Sequence, residues 1–323
     1  MANEIWKDYP KIAEKLDNTT SYIHNQIRIS NPEITKMIID LTSGGKMLRP
    51  AFFMLFTNFG PEKVSNEQLV PLSASFELLH VATLIHDDVI DDSPVRRSRP
   101  TIHTRYGKRN AIYAGDYLFT LYFESISKYL PSKLDILSNS LSMKKILIGE
   151  LDQLLINNNI NATPKMYFKE VAGKTAELFS LSTKMGAVVS GGDDKLVNLS
   201  KNIGHDIGMA FQVIDDVLDF GDESSTGKPN YEDLRNGVYS LPYIIGFNEK
   251  NQKLIELLSN ESLTEEQINQ AAKIVVESGY LNKAKDIAKT FTSHAERRIK
   301  KLPRSSYRKQ LEKIVKKLLD RID

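Results

Sequence analysis

The sequence predicts an all-α protein built as a single large helical bundle. Three observations carry that prediction. Apolar residues recur at helical spacing along most of the chain. The clearest case is the C-terminal stripe Leu311, Ile314, Val315, Leu318, Leu319 and Ile322. Helix breaks fall at Asn31-Pro32, Gly44-Gly45, Gly60-Pro61, Pro94, Pro131, Pro164, Gly191-Gly192, Gly227-Lys228-Pro229 and Pro303. The intervals are mostly roughly 20 to 35 residues, longer than an average helix, and strand signals are too weak to place a sheet. Long helices with short joints pack as bundles. No linker or low-complexity run interrupts them, so residues 1–323 read as one domain.

Composition narrows the chemistry. With 41% hydrophobic and 26% charged residues the chain has ample material for a core. Cysteine is absent, which excludes disulfides, a thiolate metal site and a cysteine nucleophile. The N-terminus lacks a basic region followed by an apolar stretch, and no run approaches ~18 consecutive apolar residues. A cytoplasmic protein is the expectation. The net charge of +2 is uneven: residues 281–323 carry 14 Lys/Arg against 5 Asp/Glu, or +9, which leaves −7 for the rest. A solvated face on terminal helices explains this most simply. Peripheral contact with an anionic membrane is the functional alternative. Nucleic acid is disfavoured, because no aromatic stacking pattern accompanies the charges.

Two acidic clusters point to a function. Asp87-Asp88-Val89-Ile90-Asp91 and Asp215-Asp216-Val217-Leu218-Asp219 both read D-D-x-x-D, 128 residues apart, and each ends a long, largely apolar stretch. On a helix, positions i and i+4 share a face, so Asp87 pairs with Asp91 and Asp215 with Asp219. Acids at a helix C-terminus are electrostatically unfavourable, and accepting them twice implies a purpose other than stability. If the two helices face each other across a central cavity, the carboxylates repel one another unless cations sit among them. Mg²⁺ suits such a site, binding one or two carboxylates and completing its shell with water and substrate phosphate.

The first acidic helix is expected to begin near Pro71 and to end near Asp92. Counting back from Asp87, the positions Thr83, His80 and Phe76 fall within about 40° of its face, giving a stripe with acids at the top and an apolar bottom. Arg96 and Arg97 follow it, and arginine's planar fork suits phosphate. On the second helix, Gly208, Gln212, Asp215 and Asp219 form another stripe, followed by a polar segment that includes Lys228. Lys46 and Arg49 are expected in the first turn of a helix after Gly44-Gly45, where an anion is favoured. Gly173-Lys174-Thr175 is no nucleotide P-loop, because Phe168 occupies the place of the required glycine. His86-Asp87 and His205-Asp206 do not bring the further ligands an HD-type phosphohydrolase needs.

In this order and spacing, G-G-K-x-x-R-P at 44–50, the acidic motif with its arginines at 87–97, G-K-T at 173–175, F-Q at 211–212, the second acidic motif at 215–219 and G-K-P at 227–229 are highly specific. The chain resembles the all-trans polyprenyl diphosphate synthases of the isoprenoid synthase fold, medium- to long-chain type, from about Gly44 to the C-terminal helices. The resemblance implies that Lys46, Arg49, His80 and Arg97 bind the diphosphate of isopentenyl diphosphate. It implies that Asp87, Asp88 and Asp91 hold Mg²⁺ bridging an allylic diphosphate (farnesyl or geranylgeranyl). Asp215 would hold a further Mg²⁺ with Asp216 and Asp219 in support, about three ions per active site. Arg96, Lys174, Thr175, Gln212 and Lys228 would contact the allylic diphosphate. Met47 stands where a basic residue is common, and Tyr239-Ser240-Leu241-Pro242 where Thr-Leu-Pro is frequent; neither removes a ligand.

The implied reaction is ionisation of the allylic C–O bond, attack by the isopentenyl double bond and loss of a proton to the released diphosphate. In the family that the chain resembles, residues just before the first motif influence product length, so the small Ala82 and Thr83 imply a product beyond C20. Phe76, roughly 16 Å deeper at ~1.5 Å per residue, is the candidate floor, for a product of about C30 to C40. A shorter-chain synthase remains the alternative on length. A terpene cyclase usually carries a different second metal motif. The resemblance also implies a homodimer, or a catalytic subunit that needs a small regulatory partner.

Overall fold

The computed structural model describes residues 4–43, 45–96, 99–221, 231–260 and 263–321. The fold is all-α, as expected. The first helices are α1 (Pro10–Gln26), α2 (Pro32–Ser43), α3 (Leu48–Phe56), α4 (Asn66–Ile90), α5 (Ile102–Tyr106), α6 (Lys108–Tyr129) and α7 (Lys133–Gln153). Then come α8 (Pro164–Val171), a π-helical turn (Ala172–Ala176), α9 (Glu177–Val189) and α10 (Asp194–Leu218). The chain ends with α11 (Glu232–Arg235), α12 (Leu241–Asn248), α13 (Gln252–Leu258), α14 (Glu265–Glu277), α15 (Tyr280–Ile299) and α16 (Ser306–Leu319). The chain divides into two compact units, one of Met1–Ser140 with Ser182–Asn198, the other of Leu141–Leu181 with Leu199–Asp323.

In the first unit α4 is the axis, packed most extensively on α6 and also on α1 and α3. It is buried almost continuously from Leu69 to Leu79, which is why it lacks a strong apolar stripe there. It has the length and apolarity of a membrane span, yet 72% of its most apolar window is buried inside the protein. The helix begins at Asn66, five residues before the expected Pro71. Pro71 is buried in its second turn, where burial beside Leu69 and Leu72 offsets one missing donor. Gly115 of α6 lets that helix close on α4, since a Cβ there would lie 2.3 Å from the His86 ring. A two-residue antiparallel pair, Val95–Arg96 with Arg99–Pro100, corrects the expectation of no sheet. It is too short for any alternation to reveal it.

In the second unit α12 is buried from Leu241 to Phe247 and packs on α15 and α8. Asp206 of α10, itself buried, is ion-paired with Arg298 of α15. The C-terminal stripe from Leu311 to Leu319 is buried as expected, and Ile322 lies outside the described residues. Several joints without proline escaped the sequence reading, two of them at glycines. Gly107 (φ +84°) and Gly279 (φ +77°) sit in left-handed backbone that glycine alone adopts without strain. A lone glycine in a helical pattern is an ambiguous signal.

Candidate functional site

Each unit carries one acidic motif. In the first unit, α4 ends at the motif itself: the Asp91 N–H donates to the Asp87 carbonyl at 2.8 Å, stacking the two residues one turn apart. His80, Thr83 and Asp87 are half-buried and Asp91 is exposed, on a helix that is otherwise mostly enclosed. The expected polar stripe is therefore present. Its lower end is closed, because Phe76 is 1% exposed and packs on Phe53 with ring centroids 5.2 Å apart. The Thr83 hydroxyl donates to the His80 carbonyl at 2.8 Å. Ala82 is fully buried, and its carbonyl lies 2.9 Å from His86 Nδ1, on the side where His86 stacks against Phe119 of α6.

Asp88 behaves differently from its neighbours. It is 3% exposed, and Arg96 Nε donates to its Oδ1 at 2.6 Å. Burial pushes its carboxyl above the ordinary range, opposed by the Arg96 charge. Arg96, expected on substrate phosphate, thus holds this aspartate from the strand that follows. Lys46 lies just before Met47, the left-handed residue that opens α3, so only Arg49 sits in the first turn. Burial pulls the Arg49 guanidinium down to about 10, with the Glu77 carboxylate opposing. Arg97 and Lys228 lie outside the described residues.

In the second unit, Asp215 is exposed, Asp219 half-buried and Asp216 enclosed at 2%. Asp216 Oδ2 accepts from Tyr167 Oη at 2.7 Å and from the Leu241 N–H at 2.9 Å; Oδ1 accepts from Gln212 Nε2 at 3.0 Å. Gln212 Oε1 in turn accepts from Thr175 Oγ1 at 2.9 Å. Thr175, Gln212 and Asp216 thus form one chain of hydrogen bonds. Even so, burial and Asp233 push the Asp216 carboxyl up to about 7, against the pull of those three donors. Asp219 Oδ1 accepts from the Glu232 N–H at 3.0 Å, tying α10 to α11.

The π turn places Lys174 towards α7, where its Nζ lies 2.7 Å from Glu150 Oε2 and 2.7 Å from Gln153 Oε1. Glu150, Gln153 and Tyr167 were not singled out in the sequence. Each is an ordinary polar residue on an amphipathic helix, and only the packing gives it a partner. Arg321 was also missed. Its guanidinium lies over the Phe211 ring, 5.1 Å from the centroid. Glu170 is a further buried acid, pushed up to about 8 by burial despite Lys174 nearby.

Among the described residues no three His, Asp or Glu side chains gather closely enough to hold a metal ion. Mg²⁺ does not require such a cage, since it keeps water and substrate oxygens in its shell. Asp87, Asp91 and Asp215 offer accessible oxygen donors of the right type. Asp88, Asp216 and Asp219 fit a metal less well, because each already has an oxygen that accepts a protein donor.

Comparison with known proteins agrees with the motifs. A family profile described as polyprenyl synthetase matches residues 31–275. The chain is 29% identical to the heptaprenyl diphosphate synthase component 2 of Bacillus subtilis, over 95% of this chain and 88% of that protein. It is 34% identical to the chloroplastic solanesyl-diphosphate synthase 2 of Oryza sativa subsp. japonica, over 87% and 70% of the two chains. A solved geranylgeranyl pyrophosphate synthase from Lactobacillus brevis superposes with a TM-score of 0.92 at 40% identity, covering 98% of this chain and 99% of that one.

Glu170 yields a test of the site's electrostatics. Its carboxyl titrates near 8 in the fold against 4.5 ordinarily. Between those values the folded state keeps a proton the unfolded state has lost, so this group lowers stability as pH rises, and the loss levels off above about 8. Glu170→Gln is therefore expected to raise Tm by a few degrees at pH 8.5 and by much less at pH 5. Thermal unfolding at the two pH values measures it; an equal gain at both would contradict the assigned burial.

Proposed function

Because this chain belongs to the polyprenyl synthetase family, we propose that it is a Mg²⁺-dependent prenyltransferase. It adds isopentenyl diphosphate units to an allylic diphosphate, farnesyl or geranylgeranyl, and releases an all-trans polyprenyl diphosphate. The observation that carries the reading is the stripe His80, Thr83, Asp87 and Asp91, polar and accessible at the end of an otherwise buried apolar helix.

Asp87 and Asp91 on one turn, and Asp215 on another with Asp219 in support, would hold Mg²⁺. Bound there, the ions supply charge stabilisation for departing diphosphate. Lys46, Arg49, His80 and Arg97 are assigned to isopentenyl diphosphate. Lys174 and Lys228 are assigned to the allylic diphosphate. Asp88 with Arg96, and Asp216 with Gln212 and Thr175, set the backbone of the two motifs. No base residue is required, since the leaving diphosphate takes the proton. The experiment is product analysis by mass spectrometry after incubation with farnesyl diphosphate, isopentenyl diphosphate and Mg²⁺. Asp87→Ala is expected to cut turnover about a hundredfold or more, the scale of losing one preorganised electrostatic contact, with helicity by circular dichroism retained. Near-normal turnover would sink the assignment.

Relatives span products from C20 to C45. The small Ala82 and Thr83 favour a product beyond C20 here, with Phe76 on Phe53 as the floor. Phe76→Ala should shift the product distribution upward by at least one isoprene unit. An unchanged ladder removes Phe76 from that role.

The functional unit is proposed to be a homodimer formed through α7. Leu134, Leu137, Leu141, Ile148, Leu151 and Leu155 are all exposed along one seam of that helix and its C-terminal end. The spacing is nearly palindromic: Leu134 with Leu155 and Leu141 with Ile148 both centre between residues 144 and 145, and Leu137 with Leu151 centres on 144. An antiparallel second copy therefore meets apolar side chains with apolar side chains, as a two-fold interface requires. Sedimentation or light scattering should give a dimer for the purified chain and a monomer for Leu141→Glu/Leu151→Glu. A wild-type monomer, inactive alone, would favour the second reading, a catalytic subunit that needs a small partner. The likeness to a protein named component 2 motivates that reading.

A further inference from the structure

We propose that Glu150 and Gln153 are positioning residues that hold the Lys174 ammonium for a phosphate oxygen of the allylic substrate. The proposal rests on the assignment of Lys174 to that diphosphate. Glu150 and Gln153 stand three residues apart, on one face of α7. Both reach Lys174 Nζ at 2.7 Å. The pair is no loose surface contact, because the Lys174 and Glu150 side chains are 24% and 18% exposed.

The backbone is built to bring them together. A Cβ on Gly149 would lie 2.3 Å from the Lys174 nitrogen, and one on Gly173 would lie 2.8 Å from the Lys145 carbonyl oxygen. Only glycine at both places lets α7 and the π turn approach this closely. The π turn adds a residue to the helical register, which sends Lys174 to α7 and its neighbour Thr175 to Gln212 on α10. A lysine has four rotatable side-chain bonds and a point charge. Fixing it before substrate arrives removes rotamer freedom that binding would otherwise have to remove. Glu170 also lies near this ammonium, but burial pushes its carboxyl up to about 8, so it is mostly protonated at neutral pH. Glu150 is thus a charged partner held against the lysine at 2.7 Å.

The competing expectation has the opposite sign. If Glu150 acted only through its charge, removing it would strengthen phosphate binding. Steady-state kinetics with farnesyl and isopentenyl diphosphates separates the two. Glu150→Ala is expected to raise KM for farnesyl diphosphate about tenfold, the scale of one hydrogen bond to a charged group. The value of kcat should stay within about threefold, and KM for isopentenyl diphosphate should not move. Glu150→Gln keeps the acceptor and should recover most of the loss. In a Lys174→Met background Glu150→Ala should add nothing, since the two act as one unit. Should Glu150→Ala fold poorly, Gln153→Leu carries the same expectation. A KM for farnesyl diphosphate that falls or stays constant overturns the proposal, as does an equal effect on both substrates. If Lys174→Met itself leaves that KM unchanged, the assignment of Lys174 has failed instead.

Discussion

The buried carboxylate of Asp216 is the contact on which the second unit's site depends. A fully enclosed aspartate is tolerable only when its oxygens are satisfied. Here Tyr167, Gln212 and the Leu241 N–H satisfy them. Each donor comes from a different element: α8, α10 and the start of α12. Gln212 then fixes Thr175 in the π turn. A single desolvated group thereby sets the mutual placement of four segments, and burial makes a misplaced donor costly.

The first unit uses the same device. Asp88 is enclosed and held by Arg96, while Asp87 and Asp91 stay accessible on the adjoining face. The D-D-x-x-D spacing explains the parallel. Positions one and five share a face, and position two lies about 100° around the helix, turned into the protein. The second aspartate of each motif therefore anchors the helix end, while Asp87, Asp91 and Asp215 keep accessible surface and Asp219 is tied to α11 through the Glu232 N–H. That division also answers the unfavourable placement of acids at a helix C-terminus. The inward acid is balanced by protein donors.

Close backbone approach is the other recurring constraint. Gly115 against His86 and Gly149 against Gly173 bring helices nearer than any side chain at those positions would allow. Such contacts transmit position rather than charge. They set where His86 sits beside the first motif and where Lys174 meets Glu150. The placement of polar side chains in both units therefore rests on uncharged residues as much as on the aspartates.

The helical class, most of the joints and the one-turn stacking of each acidic pair were determined by the sequence alone. They follow from local rules: the 3.6-residue period, proline's missing donor and the i, i+4 face. The start of α4 was misplaced because burial overrode proline's local preference, and the short strand pair held too few residues to show a period. What only the tertiary structure decided is the partnership of each polar residue. Arg96 turned to Asp88 and Gln212 to Asp216, and Glu150 and Gln153 emerged beside Lys174. Sequence spacing orders side chains along one helix. Which donor meets which acceptor depends on contacts between segments distant in the chain, and burial is what makes those contacts selective.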